Sequence, residues 1–170
     1  MWIKQNPTSW TSTLNRYMLI EVVNFLPERL VDDLVILSQQ PDLPWVQQEL
    51  QEQLPRRKLS EISTMLDTAL ETAHNHFAGL KQFDHLEFQG VTLWQDQPTF
   101  YMPDHVDNAQ VQVAVQIYLD DRASPGTQFA DRQIAYGRNR GYILYNEQEV
   151  HGVPNVTPHQ GRLSIYSLYK

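Results

Sequence analysis

The stretch from residue 86 to the C-terminus is dense in β-branched and aromatic residues, and no other feature constrains the fold as much. Segments 86–94, 110–119, 142–145 and 162–169 all read as strands. Turn signals lie between them, at Pro103-Asp104, Ser124-Pro125-Gly126 and Gly137. The clearest strand carries Val111, Val113, Val115, Ile117 and Leu119 on one face and Gln112, Ala114, Gln116 and Tyr118 on the other. The first face is apolar and the second semi-polar. On an open sheet a semi-polar face meets water; in a barrel it can line a cavity instead.

The N-terminal part has a different texture. A strand is expected over 17–25, and Pro27 then opens a helix to about Ser38. Residues 39–59 contain Pro41, Pro44 and Pro55 and read as an irregular connection. A second helix follows, with Ser60 as its cap and Ile62, Met65, Leu66, Ala69, Leu70, Ala73 and Phe77 as one apolar stripe. Helices first and closely spaced strands second predict one domain over 1–170. It is mainly β, a two-sheet barrel (about 86–170) with helical support (about 1–85).

Composition narrows the chemistry. The chain has no cysteine, which removes disulfides, thiolate metal sites and cysteine nucleophiles, and fits a cytoplasmic setting. A net charge of −7 argues against a general nucleic-acid binder. No apolar run is long enough for a membrane span, and residues 1–17 lack the apolar segment of a signal peptide. Any metal must therefore be held by histidine and carboxylate.

Three short segments supply such groups. In an extended His105-Val106-Asp107, an imidazole and a carboxylate two residues apart aim at one point. His151 follows the strand at 142–145, where an isolated histidine is more often structural than a ligand. In Arg162-Leu163-Ser164, strand alternation puts Arg162 and Ser164 on one face, and a guanidinium buried there needs an anion. Together they describe a two-histidine, one-carboxylate facial triad with an anion site beside it, the arrangement of non-haem Fe(II) oxygenases.

At this point the chain resembles the 2-oxoglutarate- and Fe(II)-dependent oxygenases over residues 100–170. Those enzymes show His-x-Asp, a distal His, and a basic residue followed by x-Ser about ten positions later. Here Arg162 lies eleven positions after His151, and Ser164 completes Arg-x-Ser. His105-Val106-Asp107-Asn108, Gln116-Ile117-Tyr118-Leu119-Asp120-Asp121 and Gly126-Thr127 are similar to the prolyl-hydroxylase branch, as is Val23-Asn24-Phe25-Leu26-Pro27. The resemblance implies a double-stranded β-helix (jelly-roll). It implies Fe(II) on His105, Asp107 and His151, and 2-oxoglutarate with its far carboxylate on Arg162, Ser164 and Tyr118. With O2, the implied reaction hydroxylates a C–H bond of a small-molecule or peptide substrate and releases succinate and CO2.

Read from the residues alone, a metal-binding cupin-type isomerase or sensor domain also accommodates the three metal ligands, but it leaves Arg162 and Ser164 without a role. Other residues carry blander expectations. His74 and His76 lie two apart on a helix, too far round its axis to share a metal, and read as surface or boundary residues, and His159 faces solvent in a turn. Arg56-Arg57-Lys58 forms a solvated cluster. Arg138 and Arg140 could meet an acidic substrate, and Trp94 and Tyr101 could equally line the substrate side or belong to the core.

Overall fold

The computed structural model describes residues 18–48, 56–60, 68–145, 149–156 and 159–170. In chain order the strands and helices are β1 (Met18–Val23), α1 (Glu28–Ser38), β2 (Val46–Gln47), β3 (Arg56–Ser60), α2 (Thr68–Ala78), β4 (Phe88–Asp96), β5 (Met102–His105), β6 (Val113–Tyr118), β7 (Thr127–Phe129), β8 (Gln133–Ile134), β9 (Arg140–Tyr145), β10 (His151–Val153) and β11 (Arg162–Tyr169). They form a seven-stranded sheet in the order β1-β9-β6-β11-β4-β3-β2 and a four-stranded sheet in the order β5-β10-β7-β8. Every pairing is antiparallel. Among the described residues the structure is mainly β, a jelly-roll with two α-helices, as expected. None of the described helices is long and apolar enough to cross a membrane.

The two faces of β6 divide the core. Val113, Val115, Ile117 and Leu119 join Leu93, Leu163 and Ile165 against Leu30, Leu34 and Leu37 of α1 and Leu70, Ala73 and Phe77 of α2. Ala114 and Tyr118 pack with Phe129, Tyr142 and Leu144 in a second cluster on the other face. The alternation read from the sequence is thus the division between a helix-covered face and an inner face. Val111 departs from it and packs in the inner cluster. It precedes β6, in a turn where its N–H donates to Asn108 O, so strand periodicity does not govern it.

Helix α1 starts after Pro27, whose carbonyl accepts from the N–H groups of Leu30 and Val31. Asn139 ties this start to the sheet. Its side chain accepts from Leu26 N and donates to Leu26 O, at 2.9 and 2.8 Å. Arg138 beside it pairs with Glu28 and Asp32 of α1 at 3.1 and 2.7 Å, and Arg140 lies 3.5 Å from Glu21. These arginines fasten the helix and the edge strand, which accounts for them without an acidic substrate.

The N-terminal part supplies more sheet than expected. The stretch read as an irregular connection contains β2 and β3, and Ser60 ends β3; the residues after it, where the expected helix would start, lie outside the described residues. Strands this short show no periodicity of their own. Ala69, Leu70, Ala73 and Phe77 are buried on α2 as expected; Ile62, Met65 and Leu66 lie outside the described residues.

On α2, His74 meets Phe88 edge-on at 4.9 Å, and His76 lies edge-on to Phe25 at 5.9 Å. The His76 Nε2 is buried without a hydrogen-bond partner, and burial holds this imidazole below its ordinary pKa of 6.5. A base with a depressed folded pKa contributes stability above its unfolded pKa and loses it as pH falls towards the folded one. Melting curves of wild type and His76→Phe should therefore diverge in favour of the variant as pH drops from about 7.5 to 5.5. Parallel curves would show that charging His76 costs the fold nothing.

Candidate active site

Two strands of the small sheet bring the histidines together. His105 ends β5, His151 begins β10, and the two are direct partners across the ladder, with ring centroids 4.5 Å apart. Gly152 lets the strands close: a Cβ there would stand 2.7 Å from Met102 O and 2.8 Å from Asp104 Oδ1. Asp107 follows β5, with its Oδ1 3.8 Å from the Nε2 of each histidine. One ligand atom from each of the three residues lies within 4.8 Å of the other two.

Backbone hydrogen bonds aim these ligands. Nδ1 of His105 is 3.0 Å from Pro103 O, and Nδ1 of His151 is 2.9 Å from Glu149 O. A carbonyl only accepts, so Nδ1 carries the proton and, in a neutral ring, Nε2 presents a lone pair. Both Nε2 atoms point at the same carboxylate oxygen. The other oxygen, Oδ2, accepts from Tyr166 OH at 3.3 Å. The donor set, two neutral imidazoles and one carboxylate with Oδ1 facing them, fits a divalent first-row metal.

His159 shows the contrast. It is buried, not solvent-facing, and its ring is satisfied on both sides: Nε2–H donates to Phe100 O at 3.0 Å and Nδ1 accepts from Gly161 N at 2.9 Å. It braces the approach to β11. Gly161 has φ +77°, and a Cβ there would stand 2.3 Å from Asp96 O, so only glycine fits the corner that delivers Arg162 to the sheet.

The triad borders a cavity of about 190 Å³ whose wall includes Arg162, Arg56, Trp94, Gln116, Thr127 and Tyr166. Strand β11 spans it: Tyr166 reaches Asp107, and Arg162, four residues earlier on the same face, stands roughly 13 Å away along the strand. Arg162 is 1% exposed, its Nε donates to Asp96 Oδ2 at 2.9 Å and its Nη1 to Gly126 O at 3.2 Å. Burial opposes ionising Asp96, but the charges and hydrogen bonds of Arg56 and Arg162 outweigh it and hold the carboxyl below its usual range.

Tyr118 and Ser164 lie one step behind the cavity wall. Tyr118 faces inward as its alternation requires, yet its hydroxyl is 2.7 Å from Thr127 Oγ1, and Thr127 forms the surface. Ser164 is fully buried and accepts from Gln116 Nε2 at 3.0 Å, while Tyr142 OH donates to Gln116 Oε1 at 2.7 Å. Here Gln116 lines the cavity and Ser164 does not. Of the two aromatic residues before the His-x-Asp, Trp94 is on the wall and Tyr101 is not. The basic run is not a solvated cluster either: Arg56 is largely buried in an ion pair with Asp96, and Arg57 stacks on Trp45. Sequence reading gave no site role to Arg56, Asp96, Thr127 and Tyr166, whereas Gln116 lies on the semi-polar face that it expected to line a cavity. Gln116, Thr127 and Tyr166 sit within or beside the quoted motifs; Arg56 and Asp96 carry no local signal.

No protein-family model matches the sequence, and no curated protein does. Solved structures do. A prolyl-4-hydroxylase from Pseudomonas putida superposes with a TM-score of 0.67 at 14% identity, over 89% of this chain and 91% of the other. The collagen prolyl hydroxylase of Paramecium bursaria Chlorella virus-1, a 2-oxoglutarate complex, gives 0.59 at 14% identity over 91% and 95%. SnoN, a non-haem α-ketoglutarate-dependent epimerase of nogalamycin biosynthesis, gives 0.68 at 12% identity over 91% and 78%. The fold is that of the 2-oxoglutarate/Fe(II) oxygenases. Within this double-stranded β-helix the small sheet and the loop after β5 carry the three candidate ligands, and the large sheet carries Arg162.

The Tyr166–Asp107 contact can be tested within this fold. Tyr166→Phe removes one hydrogen bond to a carboxylate and leaves the ring in place. Divalent metal affinity should fall about 10- to 100-fold, as for other groups that orient a ligand, with little change in melting temperature. Unchanged Mn(II) affinity by calorimetry would show that the hydroxyl does not orient Asp107.

Proposed function

We propose that this protein is an Fe(II)- and 2-oxoglutarate-dependent oxygenase that hydroxylates a C–H bond of a small-molecule or peptide substrate. His105, Asp107 and His151 would hold the iron, and Arg162 would bind the far carboxylate of 2-oxoglutarate. Iron with 2-oxoglutarate and O2 would supply the oxidising power, with succinate and CO2 as by-products. The observation that carries the reading is one cavity bordered by a His-Asp-His cluster and by a completely buried arginine on a single strand.

Charge supports the choice of a dianion. Two neutral imidazoles and one carboxylate leave a divalent metal with one surplus positive charge. At the other end, Arg56 and Arg162 share the single carboxylate of Asp96, leaving a second. A dicarboxylic keto acid balances both, whereas a metal-only cupin site would leave the second uncompensated in a buried place. Thr127, backed by Tyr118, would present a hydroxyl beside Arg162, and Gln116, fixed by Tyr142 and Ser164, would present an amide to the body of the co-substrate. Met102, Trp94 and Val153 line the same cavity and would exclude water around the target bond.

The prolyl hydroxylases with this fold make a peptidyl proline the first substrate to try, and a free amino acid or carbohydrate-linked group the next. The deciding experiment is optical. Anaerobic protein with Fe(II) and 2-oxoglutarate together should develop a visible charge-transfer absorption that neither gives alone. No such band in protein shown to bind iron would favour the cupin-type alternative. Succinate release across peptide, amino-acid and carbohydrate panels then identifies the substrate.

A further inference from the structure

Arg56, Asp96 and Arg162 are consecutive partners across three adjacent strands, β3, β4 and β11, so their side chains share one face. Arg56 grips both oxygens of Asp96, through Nε at 2.6 Å and Nη2 at 3.2 Å. Arg162 takes Oδ2 through Nε at 2.9 Å. The two guanidinium carbons also lie over one aromatic ring, Phe100, at 4.4 and 5.8 Å from its centroid. Both arginines line the cavity.

This geometry makes Arg162 a poor anion site by itself. Its charge is met by a carboxylate that is fully buried and cannot be screened by water. An incoming carboxylate would find a neutral ion pair with its negative member close by. Arg56 changes the sign: with two guanidiniums on one carboxylate, the group carries one positive charge that no described residue in contact with it cancels.

We propose that Arg56 is a second anion-binding residue, and that Arg56, Asp96 and Arg162 receive the far carboxylate of 2-oxoglutarate as one unit, with Asp96 positioning both guanidiniums. The inference rests on the reading of the site as a 2-oxoglutarate oxygenase. It assigns a binding role to β3, far in sequence from the Arg-x-Ser motif.

The test is calorimetric titration of the Mn(II)-loaded protein with 2-oxoglutarate, in the absence of Fe(II). Arg56→Met should weaken binding at least about 30-fold, as for truncating one member of a desolvated charge pair, with Mn(II) affinity unchanged. Arg56→Met/Asp96→Asn restores one surplus charge and should recover affinity to within about tenfold of wild type. A loss of packing at Arg56 would not be rescued by neutralising Asp96, whereas a loss of the surplus charge would be. Arg56→Lys, which keeps the charge, should also stay within about tenfold and stands in if Arg56→Met does not fold.

Wild-type affinity in Arg56→Met overturns the proposal. So does a folded double variant that binds no better than Arg56→Met, or a folded Arg56→Lys that does not bind. Wild-type protein that takes up Mn(II) but no 2-oxoglutarate overturns instead the oxygenase reading beneath it.

Discussion

Asp107→Ala is expected to reduce Mn(II) or Fe(II) affinity by more than the roughly 100-fold typical of losing a group that merely orients a ligand. Asp107 offers one oxygen to both histidine Nε2 atoms, so its removal takes the only anionic ligand from the set. Two neutral imidazoles would remain, and neither can offset the charge of a dication. Asp107 lies after β5, outside the apolar clusters. The metal-free variant should therefore melt within about 2 °C of wild type. His105→Ala should behave similarly. His151→Ala should lose the metal and also some stability, because its ring stacks on Phe129 at 5.4 Å. Wild-type metal affinity in all three variants would remove the metal site from consideration.

The second large effect is expected at Arg162. Arg162→Met should weaken 2-oxoglutarate by roughly 30- to 4,000-fold, the range for truncating one member of a desolvated charge pair. Metal affinity should hold, because Arg162 stands four residues along β11 from the strand position that reaches Asp107. Stability should fall too, a consequence of the Asp96 and Gly126 contacts. The loss should be smaller than the roughly 3–5 kcal/mol of a broken buried pair, since Asp96 keeps Arg56 as a partner. Co-substrate titration and denaturant melts of one preparation check both halves. Unchanged 2-oxoglutarate affinity would leave Arg162 as a structural ion-pair partner only.

What the sequence could show depended on how local each signal is. Helix α1 and strands β4, β6, β9 and β11 were legible because six or more residues repeat a pattern that burial imposes. The triad was legible because His105 and Asp107 are neighbours in the chain and His151 stands a fixed distance before Arg-x-Ser. Strands β2, β5, β7, β8 and β10 have two to four residues each, too few for a period to emerge. The role of Arg56 depends on Asp96, forty positions away, and on a register that exists only once the large sheet has formed. His159 was misplaced for a related reason. A turn histidine ordinarily faces water, and the partners that bury this one, Phe100 O and Gly161 N, are backbone groups that a sequence does not display.

The rung joining His105 to His151 has a mechanical consequence. A cation shared by these two side chains would clip β5 to β10 across a sheet whose four strands have at most four residues each. The larger sheet gains no such clip; its strands run to nine residues and are sealed by the helices. Metal occupancy should therefore act regionally. On adding Mn(II), amide protons of β5, β7 and β10 should exchange more slowly, while those of β6 and β11 keep their rates. A metal held there would then fasten the small sheet as well as fill the site, and metal-depleted protein should be cut by proteases at the small sheet before its core is touched.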